Sequence, residues 1–242
     1  MRYYVNGHKC TMPLYLFGMM VYFNNFSTGA WMYFCLHGSY GMFWLLKDMC
    51  FPDSHFAGMC TVASWLMPFP IALIPYSLPG YWMMSGQAPQ DPSMERIVIA
   101  FLLYMFGVMF MIVTDAQKYF QLRERRGLIN DSMFAWSRNM NYFGEMMLYG
   151  SFAVICQLWE VWYILWYMWS CVFMLRMMSK DYSNSKKAGW PAYYENTWFL
   201  VPKIMNSTFI SLVIYGVMLA VGYTCWINGG IEKTVHAIRQ GH

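Results

Sequence analysis

"IVIAFLLYMFGVMFMIVTDAQKYFQLRERRGLIND", residues 97–131, decides which solvent this chain is built for. Its first 18 residues, Ile97–Thr114, carry no formal charge. A helix that crosses a bilayer needs about 20 predominantly apolar residues. Hydrocarbon offers no water to the backbone, so such a segment satisfies its own polar groups as helix. Lys118, Arg123, Arg125 and Arg126 follow close behind. Cations crowded at one end of a span mark the cytosol-like or matrix-like side. The stretch therefore reads as a span ending at Thr114, then a basic loop over 115–140.

The composition agrees. Of 242 residues, 58% are apolar, 20% aromatic and 12% charged. A soluble domain carries about 25% charged residues, so most of this chain is built for lipid. The net charge of +4 is too modest to point to nucleic acid. The seven cysteines form no C-x-x-C pair and mostly sit in apolar runs. They read as free thiols, not as disulfides or a zinc site. The opening "MRYYVNGHKC" lacks the pattern of a cleaved signal peptide.

Other apolar runs fall on both sides of the first. Gly29–Leu46 is free of formal charge and contains His37. Phe56–Met84 is charge-free but broken by Pro68, Pro70, Pro75 and Pro79. Phe143–Leu175 is too long for one span and reads as a helical hairpin turning near Gln157–Glu160. Phe209–Ile227 is a clean span, and Met12–Phe23 reads as a half-span or separate helix ended by "NNFSTG". The expected fold is all-α, a polytopic transmembrane bundle of about six to seven spans. Residues 1–28 form an N-terminal segment, 29–206 the main membrane domain, and 207–242 an additional span with a polar tail.

Lysine and arginine orient it. The loops 115–140 and 176–206, together with Lys47, hold 11 of the 16 basic residues. A hairpin joins the two loops, so they share a face; "QAPQDPSMER" lies opposite. At that basic lip "SRNMNYFGE", Ser137–Glu145, runs straight into the apolar "MMLYGSFAVI". A bare carboxylate at the centre of a span costs about 2.5–3.5 kcal/mol on insertion scales, so Glu145 calls for a partner or a cavity. Arg138 and Asn141 are close enough in sequence to supply one. Two readings stay open: a clamp that only holds helix ends, or a ring of donors and acceptors around a ligand.

Four motifs together carry a resemblance. Asp115, Gln117 and Lys118 follow a helix; Gly127, Leu128, Ile129 and Asp131 come next. Then stand Arg138, Asn139, Asn141, Tyr142, Gly144 and Glu145, and last Lys180, Asp181, Ser183 and Ser185, with Trp190, Tyr193 and Thr197 downstream. Over roughly residues 30–202 the chain resembles the membrane-embedded steroid 5-alpha-reductase family, in particular its short bacterial-type branch. The resemblance implies an NADPH-dependent reductase acting on an alkene conjugated to a carbonyl in a hydrophobic small molecule. It implies a cofactor site lined by Asp115, Lys118, Arg123, Arg138, Asn141, Tyr142, Glu145, Lys180, Asp181 and Tyr193. No metal is implied, and no G-x-G-x-x-G is present.

The chain departs from that family in places. The early glutamine–glutamate pair that holds the substrate carbonyl is absent, leaving His37 and Tyr40 as candidate proton donors. Met140 and Ala188 stand where the family has proline. A lone histidine in a span is a functional candidate or a helix–helix hydrogen bond, and both readings stand. The alternatives to a reductase are a non-catalytic accessory subunit of a membrane assembly, such as a respiratory one, or a membrane methyltransferase. Membrane lipids are the expected surroundings. Other membrane subunits would dock along Phe209–Ile227, where Gly216 and Ala220 have small-xxx-small spacing. The expected location is an inner mitochondrial or endoplasmic-reticulum membrane in a eukaryote, or the plasma membrane in a bacterium.

Overall fold

The computed structural model describes residues 2–53, 66 and 69–240. Cys60, Pro68 and the part of the Phe56–Met84 run before 69 lie outside these, apart from Leu66. Helix accounts for 79% of the described residues, and no strand occurs among them. Among the described residues, three helices are long and apolar enough to cross a membrane: Met94–Glu124, Trp159–Asn184 and Thr208–Ile227. They indicate an integral membrane protein.

Helix α1 (Arg2–Tyr22) is longer than the half-span read from Met12–Phe23. It stops at the "NNFSTG" stretch, where Asn24 turns to φ +50°. The Ser27 hydroxyl accepts from the Ala30 amide and starts α2 (Thr28–Tyr33). A π-helical turn, Phe34–Gly38, leads into α3 (Ser39–Cys50). A second π turn, Phe69–Leu73, opens α4 (Ile74–Met84). After a loop comes α5 (Met94–Glu124), then the short α6 (Met133–Trp136) and α7 (Met140–Cys156).

The expected hairpin turn is present. Gln157 adopts φ +56°, ends α7 and reverses the chain into α8 (Trp159–Met168). A third π turn, Trp169–Phe173, joins α8 to α9 (Met174–Asn184). The chain finishes with α10 (Trp190–Asn196), α11 (Thr208–Ile227) and α12 (Ile231–Gln240).

The sequence boundary at Thr114 needs correction. Helix α5 runs ten residues further, to Glu124. At 1.5 Å per residue its 31 residues reach about 46 Å, against a hydrocarbon core of about 30 Å. Asp115, Lys118 and Arg123 therefore ride on a rigid helical extension, not on a loop. Nothing in "DAQKYFQLRE" breaks a helix, since it contains neither glycine nor proline.

The centre of the bundle is the α5–α7 pair. A Cβ on Gly144 would lie 2.6 Å from the Gly107 carbonyl oxygen, and one on Gly107 would lie 2.7 Å from the Gly144 oxygen. The two backbones touch here because both residues lack side chains. Around the pair Tyr33, Tyr40, Met83, Met111 and Leu148 are fully buried.

The two ends of the bundle differ. At one, the Asn25 and Ser27 side chains donate to Gln90 Oε1 at 2.7 and 2.6 Å, closing the "QAPQDPSMER" segment onto α1 and α2. At the other, Lys47 pairs with Asp115 and ties α3 to α5.

Candidate functional site

The basic end holds two arrangements, a closed clasp and an open basin. The clasp is built around Arg138, whose backbone amide donates to the Trp198 carbonyl at 3.0 Å. Its guanidinium is buried and donates to Asp181 at 2.9 Å, to the Thr197 carbonyl at 2.6 Å and to the Tyr194 carbonyl at 3.3 Å. It also lies 4.4 Å over the Tyr194 ring. Lys180 donates to the Arg138 carbonyl at 2.7 Å. The Tyr193 hydroxyl donates to the Phe134 carbonyl at 2.9 Å, and burial raises its pKa, with Arg138 pulling the other way. Asn139 donates to the Phe199 carbonyl at 2.9 Å, and Ser137 to the Leu200 carbonyl at 2.7 Å. The motif thus stitches the α7 start to the 190–203 segment.

The basin lies beside it as two adjoining cavities that share Asp53 and Lys118. One, of about 350 Å³, is lined by Lys47, Asp53, Asp115, Lys118, Arg123 and Arg126 among others. The second, of about 430 Å³, is lined by Lys118, Asn141, Tyr142, Arg176, Lys180 and Ser183 among others. Both volumes fall in the range of about 300–1,000 Å³ typical of small-molecule sites. Asn141 Nδ2 donates to Asp115 at 3.2 Å, while its buried Oδ1 has no partner among the described residues. Lys118 stands 3.9 Å from Asp53.

Six of the ten residues expected around a cofactor therefore line the basin: Asp115, Lys118, Arg123, Asn141, Tyr142 and Lys180. Arg138, Asp181 and Tyr193 belong to the clasp instead. Glu145 differs from the sequence reading. It is half-buried and makes no hydrogen bond or ion pair among the described residues. Its electrostatic partners are Lys47, Lys9 and Arg176, with Asp115 opposing, and not Arg138. Sequence distance suggested Arg138, but that side chain reaches across to α9.

The two candidate proton donors lie deeper. His37 is buried, and its Nδ1 is 2.9 Å from the Tyr33 hydroxyl one turn earlier on the same helical run. That bond joins no second helix. His37 lines an apolar cavity of about 70 Å³ with Tyr33, Tyr76, Tyr149, Phe152 and Trp169 among others. Tyr40 stands behind this wall, its hydroxyl 3.1 Å from that of Tyr149. Lys9 is the residue the sequence reading missed. It is buried, 3.4 Å from the Tyr149 hydroxyl and 3.9 Å from the Tyr76 ring centre. Its signal was a lysine set three residues before the apolar run that opens at Met12. Asp53 and Arg176 also enter the basin, and only the three-dimensional arrangement identifies them as its walls. No group of three or more metal-binding side chains occurs among the described residues.

Comparison with known families places a match over residues 61–186, just over half of the chain. The matching family is described as "Protein of unknown function (DUF1295)", and it is associated with steroid 5-alpha-reductase-like proteins. The matched region contains α4, α5, α7, α8 and α9, and with them most of the basin. No curated protein and no solved structure matches.

Proposed function

The chain belongs to the DUF1295 family, and from that premise we propose that it is a membrane-embedded NADPH-dependent reductase of lipid-like enones or alkenes. The observation that carries this reading is the basin. Six cations, Lys47, Lys118, Arg123, Arg126, Arg176 and Lys180, line two adjoining cavities at one end of an apolar bundle. Guanidinium groups grip phosphate oxygens in pairs, and ammonium groups act as point charges on them. The orphaned Asn141 Oδ1 in that basin suits a ligand donor such as an amide. The donor set fits a phosphate-rich dinucleotide.

NADPH would supply the hydride, and the protein the positioning. In this reading Lys118, Arg123 and Arg176 hold the phosphates, and Asn141 and Tyr142 orient the rest. The Arg138–Asp181–Tyr193 clasp fixes the wall they stand on. Helix α7 runs from this wall to Tyr149 and Phe152 at the apolar cavity, so one rigid element spans both regions. We further propose a bundle of six to seven spans with the basin on the cytosol-like or matrix-like side. A eukaryotic chain of this kind would reside in the inner mitochondrial or endoplasmic-reticulum membrane, and a bacterial one in the plasma membrane. The test is titration of the purified protein with NADPH, followed by cofactor fluorescence. Saturable binding that weakens steeply with salt is expected. No binding up to millimolar cofactor would remove the reading.

One observation favours the accessory-subunit reading. Only 6% of the apolar stretch of helix α11 is buried, and Gly216 has open space around it. A bare small-residue face on a span suits a neighbouring membrane subunit. Extraction in mild detergent as a lone monomer would argue against it.

A further inference from the structure

Helix α11 is fastened near its two ends and not between them. Towards the basic end, the Ser211 hydroxyl accepts from the Ile204 amide at 2.8 Å, and the Tyr215 hydroxyl donates to the Pro202 carbonyl at 2.7 Å. At the other end the Glu232 amide of α12 donates to Glu95 at 2.8 Å. Among the described residues, no hydrogen bond or ion pair joins α11 to α5 or α7. The space between them is a crevice of about 930 Å³. Ile99 of α5, Val154 of α7, and Val217, Val221 and Gly222 of α11 line its apolar part.

The crevice occupies one half of the span. Its lining begins at Val217, midway along α11, and continues to Gly230 beyond the helix end. From Val217 to Ile227 the helix rises about 15 Å, half of a hydrocarbon core of about 30 Å. The crevice therefore serves a single leaflet, the one at the neutral end of the bundle. A neighbouring transmembrane helix would lie along both halves of α11, whereas a lipid belongs to one leaflet.

The mouth of the crevice is polar. Ser93, Glu95, Arg96 and the Gly229–Gly230 turn stand there. The two glycines take φ +76° and +128°, which swings the chain from α11 into α12. Glu95 is already engaged by the Glu232 amide. The Arg96 side chain has no hydrogen bond or ion pair among the described residues. Lys233 Nζ lies 3.6 Å from the position a Gly229 Cβ would take, and it too lacks an acceptor among the described residues. Two cations without acceptors, set at the mouth of an apolar crevice at headgroup depth, complement a phosphate joined to hydrocarbon. Glu95 and Glu232 bring the local charge back towards zero, so the phosphate itself is the element recognised.

We propose that this crevice is a binding site for one diacyl phospholipid, with an acyl chain between α11 and the α5–α7 pair and the phosphate between Arg96 and Lys233. The second chain stays in the surrounding bilayer. The bound lipid fills the gap that α11 leaves and holds it against the bundle. The assignment needs α11 as a span but needs no dinucleotide, so failure here and failure of cofactor titration are separate results.

The experiment uses the full chain, purified in mild detergent and stripped of lipid. It is titrated with dioleoylphosphatidylglycerol and separately with dioleoylglycerol, which has the same chains and no phosphate. Native mass spectrometry counts what stays bound. One phospholipid per chain is expected, held at least about tenfold more tightly than dioleoylglycerol. Arg96→Gln combined with Lys233→Gln should remove that preference and leave the thermal transition unchanged, because both side chains are exposed. Gly222→Phe puts a ring into the crevice, at a position where a Cβ meets nothing within 4 Å, and should abolish the one-to-one adduct. Gly216→Phe, with the same room but outside the crevice lining, should leave the adduct intact. Equal binding of the two lipids, a preference that survives the double variant, or an adduct that survives Gly222→Phe overturns the proposal. Loss of the adduct in Gly216→Phe as well overturns it too, since lipid would then only coat α11. No adduct at all also overturns it, and if the chain then runs as a dimer the crevice belongs to a second copy. The charge variants lie at the surface, so they decide the matter even where Gly222→Phe fails to fold.

Discussion

Arg138 shows how one residue type serves two purposes that sequence alone does not separate. An arginine before a polar motif at a membrane lip suits a phosphate. Here its guanidinium instead gathers Asp181 and the carbonyls of Tyr194 and Thr197, and its own carbonyl takes Lys180. Removing one partner of a buried ion pair costs about 3–5 kcal/mol. Arg138→Met is therefore expected to lower stability by that order and to release the 190–203 segment. Limited proteolysis should then cut within that segment before any other, alongside a fall in the thermal transition. A residue that only held a ligand would leave both unchanged. Arg138→Lys recovers little, because an ammonium cannot reproduce a fork of donors. The sequence reading placed Arg138, Lys180 and Asp181 among its candidates but paired Glu145 with Arg138. The side chain's reach across to α9 depends on the α7–α9 packing, which no local pattern encodes.

Among elements, the α5–α7 pair sets the geometry of everything at the basic end. Asp115, Lys118 and Arg123 ride on α5, and Asn141, Tyr142 and Glu145 ride on α7. Their spacing follows from how closely the two helices approach. Gly144 stands within the motif that resembles a reductase cofactor site, yet its structural duty is to let Gly107 and the Met111 amide come close. Gly144→Ala would place a Cβ 2.6 Å from backbone atoms that cannot rotate away. Overpacking of this kind costs about 1–3 kcal/mol. The expected result is a lower thermal transition, together with loss of the Asn141–Asp115 contact. If the basin holds NADPH, its affinity falls as well. Gly127→Ala, at a glycine with nothing within 4 Å, serves as the control and should change neither. Helix existence was legible here, because an 18-residue uncharged run has few other solutions. The end of α5 was not, since charged residues continue a helix as readily as they leave one. The π turns were invisible for a similar reason: they insert one residue into a helical pattern without changing its composition.

At the scale of the whole molecule, the two ends of the bundle carry different chemistry, and this asymmetry is a claim about a membrane. The end with Lys47, Lys118, Arg123 and Lys180 is basic, while the end closed by Gln90 is held by neutral amides and hydroxyls. Helix α5 joins them, and α11 leaves the basic end after Lys203 and delivers its tail to Glu95 at the other, where Glu95 accepts from the Glu232 amide at 2.8 Å. Lysine and arginine predict that the basic end faces the cytosol-like or matrix-like side. Three single cysteines placed in a cysteine-free background test it: Ser185→Cys at the basic end, with Gln87→Cys and Asn228→Cys at the other, all three positions being exposed. In sealed vesicles of one orientation, a membrane-impermeant maleimide should label Ser185→Cys from one side only. The other two should react from the opposite side only, and detergent should equalise all three. Labelling of Ser185→Cys and Asn228→Cys from the same side would mean that α11 does not cross. The 207–242 segment would then lie along the surface, and the neutral end of the bundle would not be a second membrane face.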